Sequence, residues 1–435
     1  MEPTSQNDKK RIQILKYNTK LYPIYKMFAC DLLFYYSITF LYLTQTKGMS
    51  ASAVLFTDAF YPIFKFFLQI PCAALVTRLG NRTSTILGNV LVAISIALLL
   101  PANGIGIVIV SQFFSALGFA LKALTETNLL YDSIPKSPRR NDLFSLIDGK
   151  GLSYYYYLDA IASVLTGFLF VVNGYLPMMI CFAFCIFAIY LACKFKETKQ
   201  PSQNHLTQKT TSIRDTFSDL RQAFTFIFRS RRLKDLILYY ALMSSILAVL
   251  TSLRSSILTD IDLPEQYFGV VFAILGIISG IASAQSGWFH KRFRNHTLKH
   301  FGMTMVLSMI LIGFCVILPF NFGTTLTILL FFFTIQYIIK GPFYTLIKRY
   351  LNSFSTRTMR PKILAAADLI YSIIRAILAM LASFLLGFTT TAYTFVILGC
   401  LCTAAITLLL DHMRHTVGLK PEQYSKKDIS FTEVH

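Results

Sequence analysis

Long apolar segments alternate with short polar ones along the chain and fall into two sets of six. A transmembrane helix needs roughly 20 predominantly apolar residues, and each segment has about that length. Backbone groups in hydrocarbon must be satisfied within helices or closed barrels, and the segments lack the alternation typical of barrel strands. The pattern predicts an all-α polytopic membrane protein with twelve transmembrane helices. The predicted spans are Leu21–Leu43, Ala51–Val76, Ser84–Leu100, Gly106–Leu130, Gly151–Val172, Leu176–Cys193, Leu236–Leu258, Tyr267–Trp288, Phe301–Phe320, Leu326–Ile347, Ile363–Phe388 and Thr391–Leu410.

A polar segment separates the two sets of spans and sets the predicted domain boundaries. Residues 1–193 form an N-terminal six-helix bundle with a cytoplasmic N-terminal arm, and residues 194–234 form a cytoplasmic central loop. A C-terminal six-helix bundle covers residues 235–411, and a cytoplasmic tail covers residues 412–435. Apolar residues at helical spacing in the central loop predict an amphipathic helix on the membrane surface. They are Ile213, Phe217, Leu220, Phe224 and Phe228.

Matched turns indicate that the two halves are related by an internal duplication. The turn after the second span carries Ala73 and Arg78, and the turn after the eighth carries Gly287 and Arg292, in each case 214 residues later. Transporters are commonly built from such repeats. The expected architecture is therefore two pseudo-symmetric six-helix bundles.

The distribution of charge predicts the orientation in the membrane. The formal net charge of +20 would by itself suggest a nucleic-acid partner. However, 35 of the 41 Lys and Arg residues fall on one side if the spans alternate, whereas the opposite side has only Lys47. This is the positive-inside bias of membrane proteins. We therefore expect a multi-pass protein of the cell (plasma) membrane with both termini cytoplasmic, in contact with membrane lipid and without a nucleic-acid partner.

Residues suited to catalysis or metal binding are not grouped in the sequence. All seven His residues lie outside the predicted spans, and no span carries a pair of carboxylates. We therefore expect no enzymatic activity, no catalytic residue, no metal and no cofactor. The G-x-x-x-x-G-K-[ST] sequence of ATP-driven proteins is absent. The energy source would then be an ion gradient or a substrate gradient. We also expect the protein to be a monomer.

The turn after the second span resembles the signature loop of the major facilitator superfamily, G-x-x-x-D-R-x-G-R-[RK]. Arg78, Gly80 and Arg82 match it, and the resemblance implies that they form a gate loop. The departures from the pattern are Ala73, Thr77 and Asn81. The resemblance also implies that spans one, four, seven and ten line a cavity, whereas spans three, six, nine and twelve face lipid. The signatures of drug:proton antiporters in the fourth and fifth spans are absent.

Apart from Lys26, which is counted with the N-terminal arm, ten acidic or basic side chains fall within the predicted spans. A charge in the bilayer costs several kcal/mol, so each is a functional hypothesis. Spans three, six, nine and twelve carry no charge, which agrees with helices that face lipid, and span eight also carries none. We predict that eight of the ten residues bind the substrate or take part in coupling: Asp31, Lys65, Lys122, Glu126, Asp159, Arg254, Lys340 and Arg375.

Several of these charges also have a structural interpretation. Lys122 and Glu126 lie four residues apart on one helix and can neutralise each other. Two further pairs lie seven residues apart on one face of a helix and can form structural bridges between gating helices: Asp58 and Lys65, and Asp368 and Arg375. Arg254 lies near the outer end of its span and can snorkel to the interface.

Asp31 is the candidate for carrying a coupling proton. It lies near the middle of a span that the resemblance places at the cavity, and it has no charged neighbour on its own helix. A buried carboxyl group can hold a proton in one state of a transport cycle and release it in another. The alternative is a fixed bridge to Lys65 or to Lys340, which also lacks a charged neighbour on its helix.

The eighth span carries glycines on roughly one face, and small residues allow helices to approach closely. This face is therefore predicted to pack against a neighbouring helix. The glycines are Gly269, Gly276, Gly280 and Gly287.

These features favour a secondary active transporter that moves a small-molecule substrate across the cytoplasmic membrane by alternating access. A proton is the candidate coupling ion. The alternative on the same fold is a lipid or amphiphile flippase or exporter, since 39 Phe residues would suit an apolar path.

Overall fold

The structure, a computed structural model, describes residues 6–134, 140–196, 224–225, 227–228, 231–293, 296–353 and 360–414. These residues form helices and short connections, and none of them is in a β-strand. The predicted class, an all-α polytopic membrane protein, is therefore confirmed. The amphipathic helix predicted in the central loop lies largely outside the described residues.

The chain divides into two compact units, and each unit is made of three separate stretches of the sequence. Unit 1 comprises Met1–Met49, Phe64–Thr216 and Glu265–Val270. Unit 2 comprises Ser50–Ile63, Phe217–Pro264 and Val271–His435. This division differs from the predicted bundles because the start of the second span groups with unit 2 and the start of the eighth groups with unit 1.

Unit 1 is built on five long helices and part of a sixth. Its core joins the first helix to the fourth and sixth spans through apolar residues that include Tyr25, Leu129 and Ala188. The helices are α1 (Gln6–Ala29), a short turn α2 (Thr39–Leu41) that continues as a π-helix (Tyr42–Thr46), α4 (Phe60–Leu79), α5 (Asn81–Leu99), α6 (Ile105–Asp132), α7 (Arg140–Val172) and α8 (Leu176–Lys194). The helix between them in sequence, α3 (Ala51–Asp58), belongs to unit 2.

Unit 2 contains the remaining helices. Ser50 starts α3 as its N-cap, because its hydroxyl accepts a hydrogen bond from the Ala53 backbone N–H. Extensive packing joins α3 and α9 to α14, and α12 to α15. The helices after the central loop are α9 (Arg231–Asp260), α10 (Gln266–Ala284), α11 (Ser286–Phe293), α12 (Thr297–Ile317), α13 (Phe322–Ser353), α14 (Arg360–Phe388) and α15 (Thr391–Arg414).

Eleven helical segments among the described residues are long and apolar enough to cross a membrane. They correspond to the second to twelfth predicted spans. Helix α7, which contains the fifth predicted span, begins at Arg140, eleven residues before the predicted start. The helix extends beyond its apolar part through a polar segment that contains Asp142 and Asp148. The predicted first span is the exception.

The first span is not one continuous helix, and the prediction of an unbroken helix over Leu21–Leu43 is wrong. Helix α1 ends at Ala29, and the next helical residue is Thr39. Within this break Phe34 has a φ of 61°, which is unusual for a bulky residue. Its ring is buried and stacks on Phe184 at a centroid distance of 5.6 Å. Packing from a distant helix therefore stabilises the break, which is a common feature of transporter sites.

The predicted packing face of the eighth span holds at one glycine and is wrong at three. A Cβ at Gly269 would meet the backbone carbonyl of Ser163 on α7, within unit 1. At the other three, no described atom lies within 4 Å of such a Cβ: Gly276, Gly280 and Gly287. Among these four glycines the close approach is therefore confined to Gly269, at the start of α10; further along α10, Ser279 approaches the backbone of Gly341 on α13.

Alanine substitutions at two of these glycines should have opposite effects. In a helix Gly→Ala usually stabilises by about 0.5–1 kcal/mol, and we expect this at Gly276. Gly269→Ala places a methyl group against a backbone carbonyl, so we expect a loss of about 1–3 kcal/mol. Thermal unfolding of the purified variants measures both, and equal melting temperatures would contradict the close contact.

Candidate functional site

Asp31 lies in the break of the first span. Its Oδ1 accepts hydrogen bonds from the Leu32 backbone N–H at 2.9 Å and from the Tyr36 hydroxyl at 2.8 Å. The side chain is half-buried, so its carboxylate is held by local donors near the end of α1. The charged groups that interact with it are Lys65, Lys122 and Asp159. The structure thus brings four of the predicted site residues together in unit 1.

Lys122 and Glu126 support the broken end of α1. The buried ammonium group of Lys122 donates a hydrogen bond to the carbonyl of Ala29, the last residue of that helix. A cation at this position is favourable because the C-terminus of a helix carries partial negative charge. Glu126 Oε1 lies 3.8 Å from the Lys122 ammonium and accepts a 2.6 Å hydrogen bond from Tyr25. Asn89 in turn donates to the Tyr25 hydroxyl at 2.7 Å.

Asp58 and Arg375 form the second group, which lies in unit 2. Asp58 Oδ2 accepts a 2.7 Å hydrogen bond from the Ser252 hydroxyl, and its charge interacts with Arg375. The guanidinium of Arg375 lies 5.7 Å from the centre of the Tyr61 ring. These polar groups line a small cavity between α3, α9 and α14.

The members of each seven-residue pair have their partners on other helices. Asp58 interacts with Ser252 and Arg375, whereas Lys65 interacts with Asp31 in unit 1. Asp368 accepts a hydrogen bond from the hydroxyl of Tyr240 at 3.0 Å. The partners come from other helices because a break at Ala59 separates α3 from α4, and because α9 packs directly against α14.

Arg254 is at the centre of a third group, also in unit 2. It is fully buried, so the prediction that it snorkels to the interface is wrong. Its Nε and Nη2 both donate to Gln336 Oε1, at 2.9 and 2.7 Å. Gln336 Nε2 donates to the Ser308 hydroxyl at 2.9 Å. The guanidinium lies 4.9 Å from the centre of the Tyr337 ring, and the Lys340 ammonium lies 4.8 Å from the same ring centre.

The sequence matches the profile of the Major Facilitator Superfamily over residues 27–305, which is more than half of the chain. The chain belongs to the major facilitator superfamily. It is therefore a multi-pass membrane protein with the fold of secondary transporters, as the sequence predicted. The comparison with curated protein sequences finds no match.

Solved transporters share the fold of this superfamily member. A mutant of the nucleoside transporter NupG superimposes with a TM-score of 0.68 and 13% identity, over 92% of this chain and 99% of that one. A POT family transporter in complex with 5-aminolevulinic acid has a TM-score of 0.62 and 14% identity, over 92% and 95%. A mutant of the peptide transporter POT in complex with alafosfalin gives 0.62 and 12%, over 93% and 94%. At these identities the similarity shows the fold alone.

The loop after the second span, which the sequence predicts to form a gate, is anchored in this superfamily member by two of its polar residues. Gly80 has a φ of 81° and precedes α5 directly, so a side chain here would be strained. Arg82 Nη2 donates to the Cys193 carbonyl at the end of α8, at 2.9 Å. Asn81, which departs from the superfamily pattern, donates to Asp132 at the end of α6, at 3.2 Å. Arg78 is exposed.

Several residues of these groups were missed in the sequence. Gln336 lies within an apolar run of α13, and a lone amide in such a run is a usable signal. Tyr25 and Ser308 carry no comparable signal, because single Tyr and Ser residues are common in the spans. Their roles depend on which helices meet, and the spacing of residues along one helix does not contain that information.

Proposed function

We propose that this protein is a secondary active transporter that moves a small solute by alternating access and couples this movement to protons. The observation that carries the proposal is the position of Asp31 in the break of the first span. A carboxylate at a broken helix has exposed backbone groups and other helices as neighbours, and transporters use such breaks for substrate and ion sites. We further infer that the protein resides in the cell membrane with both termini cytoplasmic, since positively charged residues favour that side.

The surroundings of Asp31 support a role in proton coupling. Tyr36 and the Leu32 N–H donate hydrogen bonds to the carboxylate, and the cations Lys65 and Lys122 also favour it, whereas the neighbouring negative charge of Asp159 opposes it. Opposed influences of this kind allow a small change in geometry to release or take up a proton. Protonation would then depend on the conformation of the break, as a coupled cycle requires.

A reciprocal contact joins α3 to α14 in unit 2, and we propose that this contact opens during transport. The Ser52 hydroxyl donates to the Ser383 carbonyl at 2.7 Å, and the Ser383 hydroxyl donates to the Ser52 carbonyl at 2.8 Å. The two hydroxyl oxygens lie 3.3 Å apart. Asp58 lies on α3 and Arg375 lies on α14, so separation of this contact would also change the interaction between these two side chains.

Crosslinking these helices tests alternating access. The double variant Ser52→Cys/Ser383→Cys should form a disulfide under mild oxidation, because the two positions are in direct contact. If α3 and α14 separate in each cycle, the crosslinked protein should lose at least about nine tenths of its uptake in proteoliposomes, and a reducing agent should restore it. The two single variants control for oxidation of native cysteines. Full uptake by the crosslinked protein would contradict alternating access through this contact.

A further inference from the structure

The geometry points to an anion-binding site in unit 2, formed by Arg254, Tyr337 and Lys340, that holds a carboxylate or phosphate group of the transported solute. This inference rests on the proposed function, because it assigns a chemical class to the solute of that transporter. The site belongs entirely to α9 and α13, with Ser308 of α12 behind it.

Arg254 is a buried cation without a counter-ion. Its acceptor, Gln336 Oε1, is a neutral amide oxygen, and the other polar side-chain group that interacts with it is the hydroxyl of Tyr337. Its Nη1 is buried and has no hydrogen-bond acceptor among the described residues. No carboxylate in the part of the chain that the structure describes forms an ion pair with it. A buried charge of this kind is costly unless it is paired.

Three other cations in the spans have an acidic partner, which Arg254 lacks among the described residues. Lys122 lies beside Glu126, Lys65 interacts with Asp31, and Arg375 interacts with Asp58. Each of these side chains therefore has an acidic neighbour from the chain itself. Arg254 and Lys340 contact the same aromatic ring instead.

The chemistry of the group suits an anion with several oxygens. Arg presents donors in a planar fork that matches carboxylate and phosphate, and Nη1 is the donor that Gln336 leaves unused. Lys340 adds a second positive charge. It is only half-buried, so an incoming anion can reach its ammonium group before it reaches the buried Arg254. A solute anion would supply the counter-charge that the protein lacks, and it would bind both cations beside the Tyr337 ring.

The isosteric substitution Gln336→Glu tests the site from within. It places a carboxylate where Gln336 Oε1 already accepts two hydrogen bonds from Arg254, so the arginine acquires an internal counter-ion. We expect this variant to fold with a melting temperature equal to or above that of the wild type. We also expect it to lose the binding of anions, because its own carboxylate now neutralises Arg254.

Thermal unfolding of the purified full chain measures this binding. The probes are succinate, glutarate, phosphoenolpyruvate and glycerol 3-phosphate, and the uncharged molecules compared with them are succinamide, glutaramide and glycerol. In the wild type, at least one anion should raise the melting temperature by a few degrees, and its neutral counterpart should not. Gln336→Glu should abolish this shift, and Lys340→Gln should weaken the affinity at least about tenfold. Gln285→Glu, an equal change of charge at an exposed position, should retain the full shift.

Two results would overturn the proposal. One is an anion-dependent shift that is unchanged in Gln336→Glu, and the other is a wild type that none of the four anions stabilises. Proteoliposomes separate this failure from failure of the proposed function. If the wild type accumulates neutral solutes and Gln336→Glu does so equally, the protein is a transporter but the anion site is contradicted. If anions bind to the wild type but no solute is accumulated, the anion site is supported and the proposed transport function is contradicted.

Discussion

Asp31→Asn is expected to abolish proton-driven accumulation of the solute while leaving energy-independent exchange intact. The substitution keeps the shape of the side chain and its acceptor oxygen for Tyr36 and Leu32, but removes the group that gains and loses a proton. A pH gradient of one unit corresponds to about 1.4 kcal/mol, or about tenfold accumulation for one coupled proton. The variant should therefore equilibrate the solute without concentrating it. Uptake into proteoliposomes with and without a pH gradient measures the difference.

The same substitution at Asp262 provides a matched control. Asp262 is exposed and has a φ of 56°, a conformation that Asn tolerates as well as Asp does. Asp262→Asn should accumulate the solute like the wild type. Accumulation by Asp31→Asn equal to that of the control would exclude Asp31 from coupling. A parallel loss of exchange and of folded protein would instead assign it to a structural bridge.

Lys122→Met should destabilise the protein more than any other single change considered for unit 1. It removes the donor to the Ala29 carbonyl and leaves Glu126 without the adjacent cation. Removal of one partner of a buried pair typically costs about 3–5 kcal/mol. We expect a lower melting temperature and a lower yield of monodisperse protein after detergent extraction.

The double variant Lys122→Met/Glu126→Gln separates the cost of the stranded charge from the cost of lost packing. The amide oxygen that replaces the Glu126 carboxylate would still accept the hydrogen bond from Tyr25, and no unpaired charge would remain. We therefore expect the double variant to recover at least half of the stability lost in Lys122→Met. A double variant no more stable than the single one would show that the pair does not neutralise itself, and that Lys122 acts through Ala29 alone.

The sequence predicted the class of fold well because apolar runs of this length leave few alternatives in a membrane. It did not predict the break in the first span. The residues from Cys30 to Ile38 include neither Gly nor Pro, so no local signal interrupts the helix. The break is stabilised by packing on distant residues such as Phe184, and this contact becomes visible only once the helices are assembled.

The candidate site residues were identified by their charge, but their partners were not. The sequence indicated that Asp58 and Asp368 take part in bridges between helices, but it did not show that their partners are Ser252 and Tyr240. Gln336 is neutral and so escaped a search for charges, yet it is the residue that holds Arg254. Sequence patterns therefore show which residues are costly to bury, and the packing of the helices decides what each of them binds.

Accumulation of solutes by the reconstituted wild-type protein decides whether it is a proton-coupled transporter of small anions. Proteoliposomes would be incubated with a mixture of small anionic, neutral and lipid-like solutes, with and without a pH gradient, and their contents identified by mass spectrometry against protein-free vesicles. We expect at least one small anionic solute to reach a higher concentration inside than outside, and only when the gradient is present. Equal contents in vesicles with and without protein, or accumulation that ignores the gradient, would contradict this expectation, and selective movement of the lipid-like solutes would favour a flippase.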